Sequence, residues 1–210
     1  MENSNRKSHW ENIYQTKNLT DVSWYQSKPV TSLSFFDKFK VPQNAKIIDV
    51  GGGDSLLVDF LLDKGYTDLT VLDISESSLK KAQDRLGNRA ILVKWIVTDV
   101  TEFVPNEKYD FWHDRAAFHF LTNDSEIQNY LKNINENIAH LGILVLGTFS
   151  EKGPNKCSGI AIKQYSKKTL VKTIGNYFKK VVCLTENHVT PFDTIQNFVY
   201  CSFIKNEMAS

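Results

Sequence analysis

The chain has 210 residues, with 25 Lys and Arg against 24 Asp and Glu and a formal net charge of +1. Apolar residues make up 41% and charged residues 23%, enough for one sizeable core and too little charge for a disordered chain, so we read a single globular domain. So even a balance argues against a surface built mainly to grip nucleic acid. The first ten residues (MENSNRKSHW) hold no apolar export segment, and no run approaches the roughly 18 apolar residues of a membrane span. Cys157, Cys183 and Cys201 are odd in number and lack metal-ligand spacing, which predicts reduced thiols, no bound metal and a cytoplasmic location.

Residues 1–40 form an arm carrying Trp10, Tyr14, Trp24 and Tyr25, and residues 41–210 are read as the main body of the domain. From residue 40 onward, short β-branched and aromatic runs alternate with longer stretches of helical spacing, the signature of an α/β sheet. Lys46 to Val50 is the first strand, running straight into Gly51-Gly52-Gly53 and a helix over Leu56 to Leu62. Leu69 to Ile74 is the second strand, and Ser75 caps a helix whose Leu79, Ala82 and Leu86 share one face. Lys94 to Val97 and Tyr109 to His113 follow as the third and fourth strands. Asn123 with Glu126 has the form of a capping box before an amphipathic helix that Gly142 ends. Ile143 to Phe149 reads as a buried strand, the 150–166 segment as a polar loop, and Lys167 to Ile174 as the last helix. Lys180 to Thr185 and Asn197 to Ile204 have no helix between them, so they pair antiparallel.

The glycine turn between the first strand and helix marks a place where backbone approaches a ligand closely. A dinucleotide site would show G-x-G-x-x-G, with pyrophosphate at the helix N-terminus. Here Leu56 holds the third glycine's place, and Asp54 puts a carboxylate where phosphate would use the free amides. Asp49 adds a second negative charge beneath Gly51, Gly52 and Gly53. The ligand predicted is one without phosphates and with a cation to satisfy, which S-adenosylmethionine fits through its ammonium, sulfonium and unphosphorylated ribose. Asp73, ending the second strand, is placed to accept both ribose hydroxyls. Asp99, ending the third, is placed to reach the adenine amino group, between the apolar side chains of Ile74 and Val100.

The segments DVGGGDS, VLDIS, IVTDV and YDFWHDRAAFHFL, in this order and spacing, resemble the successive motifs of the class I S-adenosylmethionine-dependent methyltransferases over roughly residues 45 to 204. Ser55 departs from the family's usual last glycine in D-x-G-x-G-x-G. The resemblance implies a Rossmann-like α/β fold: a doubly wound, mostly parallel seven-stranded sheet with an antiparallel last strand. The subgroup resembled is that of small bacterial methyltransferase-domain proteins with an N-terminal W-x-x-x-Y and VSWYQ arm, which implies that the arm, Trp24 included, closes over the cofactor. His113, Asp114 and His119 lie where such folds present residues to the methyl acceptor. Either histidine is a candidate base and Asp114 the second choice, with Arg115 beside Asp114 as a simple ion-pair partner.

A nucleophilic role for Cys157 is disfavoured, because direct methyl transfer forms no covalent enzyme intermediate. HDRA replaces the N/D-P-P-Y/F loop of DNA amino methylation, and no cysteine follows a proline as cytosine C5 chemistry needs. A small-molecule acceptor is therefore expected first and a protein side chain second. A catalytically silent binding or sensor module is the alternative from another class, and an NAD(P)-dependent oxidoreductase the weakest.

Overall fold

The computed structural model describes residues 3–206, with side chains from residue 5. Seven main strands, β1 (Lys46–Val50), β2 (Asp68–Asp73), β3 (Val93–Val97), β4 (Tyr109–Arg115), β5 (Ile138–Phe149), β8 (Phe178–Val189) and β9 (Ile195–Lys205), have the sheet order β3-β2-β1-β4-β5-β9-β8, and the described residues divide into two compact units, one running up to residue 103 with 190–192 and the other taking 104–189 and the described residues from 193 onward.

In the first unit, β1 (Lys46–Val50), β2 (Asp68–Asp73) and β3 (Val93–Val97) run parallel, with Asp49 opposite Val71 and Asp73 opposite Val97. Beyond their first residues β1 and β2 are buried throughout, as expected of parallel strands covered on both faces. Helix α3 (Leu57–Asp63) follows β1, and α4 (Glu76–Leu86) follows β2. Ser75 caps α4 by accepting from Ser78 N, and Leu79, Ala82 and Leu86 are buried as their spacing predicts. The arm supplies α1 (Asn3–Thr16) and α2 (Val30–Lys38). On α2, Leu33, Phe35 and Phe36 are buried.

In the second unit, β4 (Tyr109–Arg115) pairs parallel with β5 (Ile138–Phe149). Helix α5 (Asp124–Asn137) connects them, burying Ile127, Tyr130, Leu131 and Ile134. Its N-cap is Asn123, whose side chain accepts from Ser125 N. A two-residue hairpin, β6 (Lys156–Cys157) with β7 (Ile160–Ala161), interrupts the 150–166 loop before α6 (Lys167–Ile174). Strands β8 (Phe178–Val189) and β9 (Ile195–Lys205) pair antiparallel, and β9 is antiparallel to β5 as well.

Two expectations need correction. The segment from Ile138 continues as strand rather than helix: α5 stops at Asn137, and Leu141 takes a positive φ of 58° within β5. The cysteines are not all reduced thiols, because the β8–β9 register sets Cys183 directly opposite Cys201 and the two form a disulfide. Cys157 remains a free, buried thiol, so the inference of a reducing compartment from an odd count loses its footing. Among the described residues, no helix is long and apolar enough to cross a membrane.

Candidate functional site

In the first unit the site is built at the carboxyl ends of β1, β2 and β3. After Val50 the chain turns on Gly51 (φ 66°) and Gly53 (φ 47°), values that favour glycine. Gly52 is required for a different reason. A Cβ there would lie 2.7 Å from both Asp49 Oδ2 and Val71 Cγ1, and one on Gly53 would lie 2.7 Å from the Tyr14 hydroxyl and 3.0 Å from Asp73 Oδ2. The turn is thus bare backbone edged by two carboxylates and one phenol. Ser55, in place of the family's last glycine, is accommodated because its Oγ accepts from Leu57 N at 3.1 Å at the start of α3.

Asp54 lies at this turn but has its own cation. Arg85 of α4 contacts its carboxylate, and also reaches Asp59 Oδ2 at 2.9 Å and Ser55 O at 2.9 Å. Burial pushes the Asp54 pKa up and Arg85 opposes that shift. Its charge is therefore balanced from within the chain, and Asp54 fixes the turn to α4 rather than waiting for a ligand cation. Sequence reasoning missed Arg85, which sits three turns along a helix with nothing local to mark it.

Asp73 is buried at the end of β2. Its Oδ1 accepts from Ser75 N at 2.9 Å, while Oδ2 borders Gly53. Burial raises its pKa to about 7, helped by the negative charges of Asp49 and Glu11 and opposed by hydrogen bonds from Ser75 and Ser78. Ile74 and Val100 are half-buried beside the strand ends. Asp99 accepts from Thr101 N at 2.8 Å and Thr101 Oγ1 at 2.7 Å, and Arg6 Nη1 lies 3.2 Å from its Oδ2.

That last contact comes from the arm, and others join it. Glu11 accepts from the first amides of α4, Glu76 N and Ser77 N, and Tyr14 covers Gly53. Behind them Trp10, Tyr14 and Trp24 form a ring cluster with centroids 5.7–6.3 Å apart. The arm is therefore a folded part of this unit, lying over the residues that the sequence assigns to a cofactor.

In the second unit the three acid–base candidates have different surroundings. Asp114 is fully buried, and both its oxygens are engaged: Oδ1 accepts from Ala117 N and Phe118 N, both at 3.0 Å, and Oδ2 from the Tyr130 hydroxyl at 2.7 Å. Burial pushes its pKa up to about 6 against these bonds. Its partners are the turn after β4 and a tyrosine of α5, not Arg115, whose Nε donates to Tyr200 Oη at 2.9 Å. His113 is buried on β4. His119, in the short 3-10 turn Phe118–Phe120, is buried too, and its Nδ1 accepts from Phe149 N at 3.3 Å. Burial and the nearby Arg115 lower its pKa to about 3. Cys157 is buried with its pKa raised to about 11 by desolvation, the condition of an unreactive thiol.

Against known proteins, a family model described as a methyltransferase domain matches residues 47–142. The mouse eEF1A lysine and N-terminal methyltransferase is 26% identical over 135 residues, 64% of this chain and 19% of that protein. The malonyl-[acyl-carrier protein] O-methyltransferase of Anoxybacillus flavithermus is 32% identical over 108 residues, 50% of this chain and 39% of that one. The chain thus spans well under half the length of either relative. In structure it resembles the N-methyltransferase NodS of Bradyrhizobium japonicum in complex with S-adenosyl-L-homocysteine, with a TM-score of 0.69 at 14% identity, covering 94% of this chain and 98% of that one.

Proposed function

We propose that the chain is a class I S-adenosylmethionine-dependent methyltransferase, a reading that the methyltransferase-domain match over residues 47–142 supports, and that it transfers a methyl group from S-adenosylmethionine to a small-molecule acceptor by in-line displacement. The observation that carries the cofactor reading is the carboxylate-edged glycine turn. Its backbone is bare at Gly52 and Gly53, and Asp49 and Asp73 border it, a surface that repels phosphate and suits ammonium and hydroxyl donors. When bound, the cofactor supplies an electrophilic methyl on a sulfonium.

The residues of the chain then have positioning to do. Asp73 accepts the ribose hydroxyls, and Ile74 and Val100 flank the adenine. Asp99 holds the amino group of that ring, and the arm with Tyr14 and Trp24 keeps water from the sulfonium. Because the leaving sulfide is neutral, no acid is required. Where the acceptor must lose a proton, a histidine on or after β4, His113 or His119, is the candidate base ahead of Asp114, which has both oxygens committed to the fold. The buried aromatic cluster of Phe149, Phe198 and Tyr200 beside His119 and Arg115 supports a small acceptor over a protein segment, and the relatives include proteins named for each kind.

Thermal shift tests the cofactor reading. S-adenosylhomocysteine at about 100 times its Kd stabilises by about 2.7 kcal/mol, roughly 5–11 °C for a chain of this size, while NAD and NADP leave the midpoint unchanged. A larger shift with NAD overturns the assignment. Release of S-adenosylhomocysteine with a panel of acceptors separates an enzyme from a silent binding module.

A further inference from the structure

His119 has a defined tautomer. A ring nitrogen that accepts a backbone N–H carries a lone pair, and Nδ1 accepts from Phe149 N. In the neutral imidazole the proton therefore sits on Nε2. The low pKa of His119 keeps the ring neutral throughout the physiological range. His119 is a fixed Nε2–H donor, and Nε2 is buried without a hydrogen-bond partner in the structure. A buried donor left unsatisfied costs free energy, which an incoming acceptor atom recovers.

A second donor lies on the same floor. The imidazole packs 4.7 Å from the Phe149 ring, Phe149 packs 4.8 Å from Phe198, and the Arg115 guanidinium carbon lies 4.8 Å over the Phe198 ring. The register places Arg115 opposite Gly147 and Gly147 opposite Tyr200, so these side chains share one face of the sheet. The 150–166 loop is tied to this part of the sheet by backbone bonds that include Ser150 N to Asn197 O at 2.9 Å, Lys163 N to His119 O at 2.8 Å and Tyr165 N to Phe149 O at 3.1 Å. A neutral N–H and a guanidinium set among aromatic rings match a planar oxyanion and repel a cation.

We propose that His119 Nε2–H and the Arg115 guanidinium form an oxyanion subsite beneath the 150–166 loop, which takes a carboxylate borne by the acceptor molecule. The proposal rests on the methyltransferase reading for its place in a reaction, and gives His119 the role of orienting donor rather than base.

The test is side-chain ¹H–¹⁵N NMR of the full chain, with benzoate as probe and benzylamine and benzyl alcohol as controls. His119→Gln assigns the imidazole. We expect an Nε2-protonated pattern that does not titrate between about pH 5.5 and 8, and benzoate-dependent shifts of the His119 Nε2–H and Arg115 Nε–H signals that neither control produces. His119→Phe and Arg115→Met should each weaken benzoate about 10- to 100-fold, the range for hydrogen bonds to a charged group. His119→Gln, which keeps a terminal N–H, should recover most of that loss. An Nδ1-protonated ring, equal binding of benzyl alcohol, or a His119 signal unmoved by saturating benzoate overturns the proposal. Wild-type shifts alone decide it if a variant does not fold. S-adenosylhomocysteine added to the same sample reads the Gly51–Gly53 amides independently, so failure of the cofactor assignment is distinguishable from failure of the subsite.

Discussion

Asp73 should act in opposite directions on stability and on binding. Its pKa is raised from 3.8 to about 7, chiefly by burial, so between about pH 4 and 7 the folded chain holds a proton that the unfolded chain has released. Stability attributable to this group is full below about pH 4 and is lost as pH rises through about 7. The loss is on the order of 4 kcal/mol at pH 8, at about 1.4 kcal/mol for each tenfold change in proton affinity. Asp73→Asn keeps an oxygen for the Ser75 amide and removes the charge. It should therefore raise the midpoint of the ligand-free protein at pH 8 and change it little at pH 4.5. The same side chain is assigned to the ribose hydroxyls, so Asp73→Ala should weaken S-adenosylhomocysteine by about 1.5–3 kcal/mol, or roughly 10- to 100-fold, with the fold retained. Calorimetric titration and melting curves at the two pH values measure both effects. An Asn variant equally destabilised at pH 4.5 and 8, or an Ala variant binding within about twofold of wild type, refutes the assignment.

The Cys183–Cys201 bridge spans a sequence separation of 18, for which chain-entropy arguments give about 3 kcal/mol. Reduction, or Cys183→Ser, should lower the midpoint by roughly 6–12 °C, and thiol counting in denaturant should find one free cysteine before reduction and three after. Three reactive thiols without reductant would show that the pair is not oxidised in solution. Removal of residues 1–25 should lower S-adenosylhomocysteine affinity and activity far more than global stability, and tryptic cleavage after Arg6, Lys7 or Lys17 should slow when ligand is present. Equal cleavage rates with and without ligand, and a truncated chain of full activity, would reduce the arm to edge packing.

What the sequence could reveal depended on how local each feature is. Strand β1, helix α6 and the glycine turn were legible because hydrophobic period, cap and glycine spacing lie within a few residues of one another. Asp73 and Asp99 were legible as strand-end carboxylates. Their partners were not: Arg6 meets Asp99 across 93 residues, and Arg85 meets Asp54 across 31. Asp114 looked like an acid–base group by type and place, and only the Tyr130 hydroxyl and the amides of Ala117 and Phe118 show it as the anchor of a turn. The disulfide depends on β8–β9 register, which cysteine parity does not carry. Ile138 fell on the helical period of α5, but the positive φ at Leu141, which a sequence does not announce, belongs to an extended segment.

Two acidic residues of the site, Asp54 and Asp99, differ in a way that bears on how ligand and arm interact. Asp54 is neutralised by Arg85 from within the body of the unit, so its charge balance is the same with or without ligand. The charge of Asp99 is met by Arg6 from the arm, in an ion pair whose side chains are only 11% and 6% exposed. A group hydrogen-bonding to Asp99 must therefore share the carboxylate with Arg6 or displace it. Glu11 and Tyr14 extend the same dependence to the α4 N-terminus and to Gly53. Two of these arm contacts thus fall on residues assigned to the cofactor, Asp99 and Gly53, and the third on the helix that follows Asp73. The arm's share of the core comes from Leu33, Phe35 and Phe36 of α2, which lie outside residues 1–25, and from Trp10, Ile13, Tyr14 and Val22 within them. A chain lacking residues 1–25 keeps α2 but loses the contacts to Asp99, Gly53 and the α4 N-terminus, which is the physical basis for expecting truncation to act on affinity before stability.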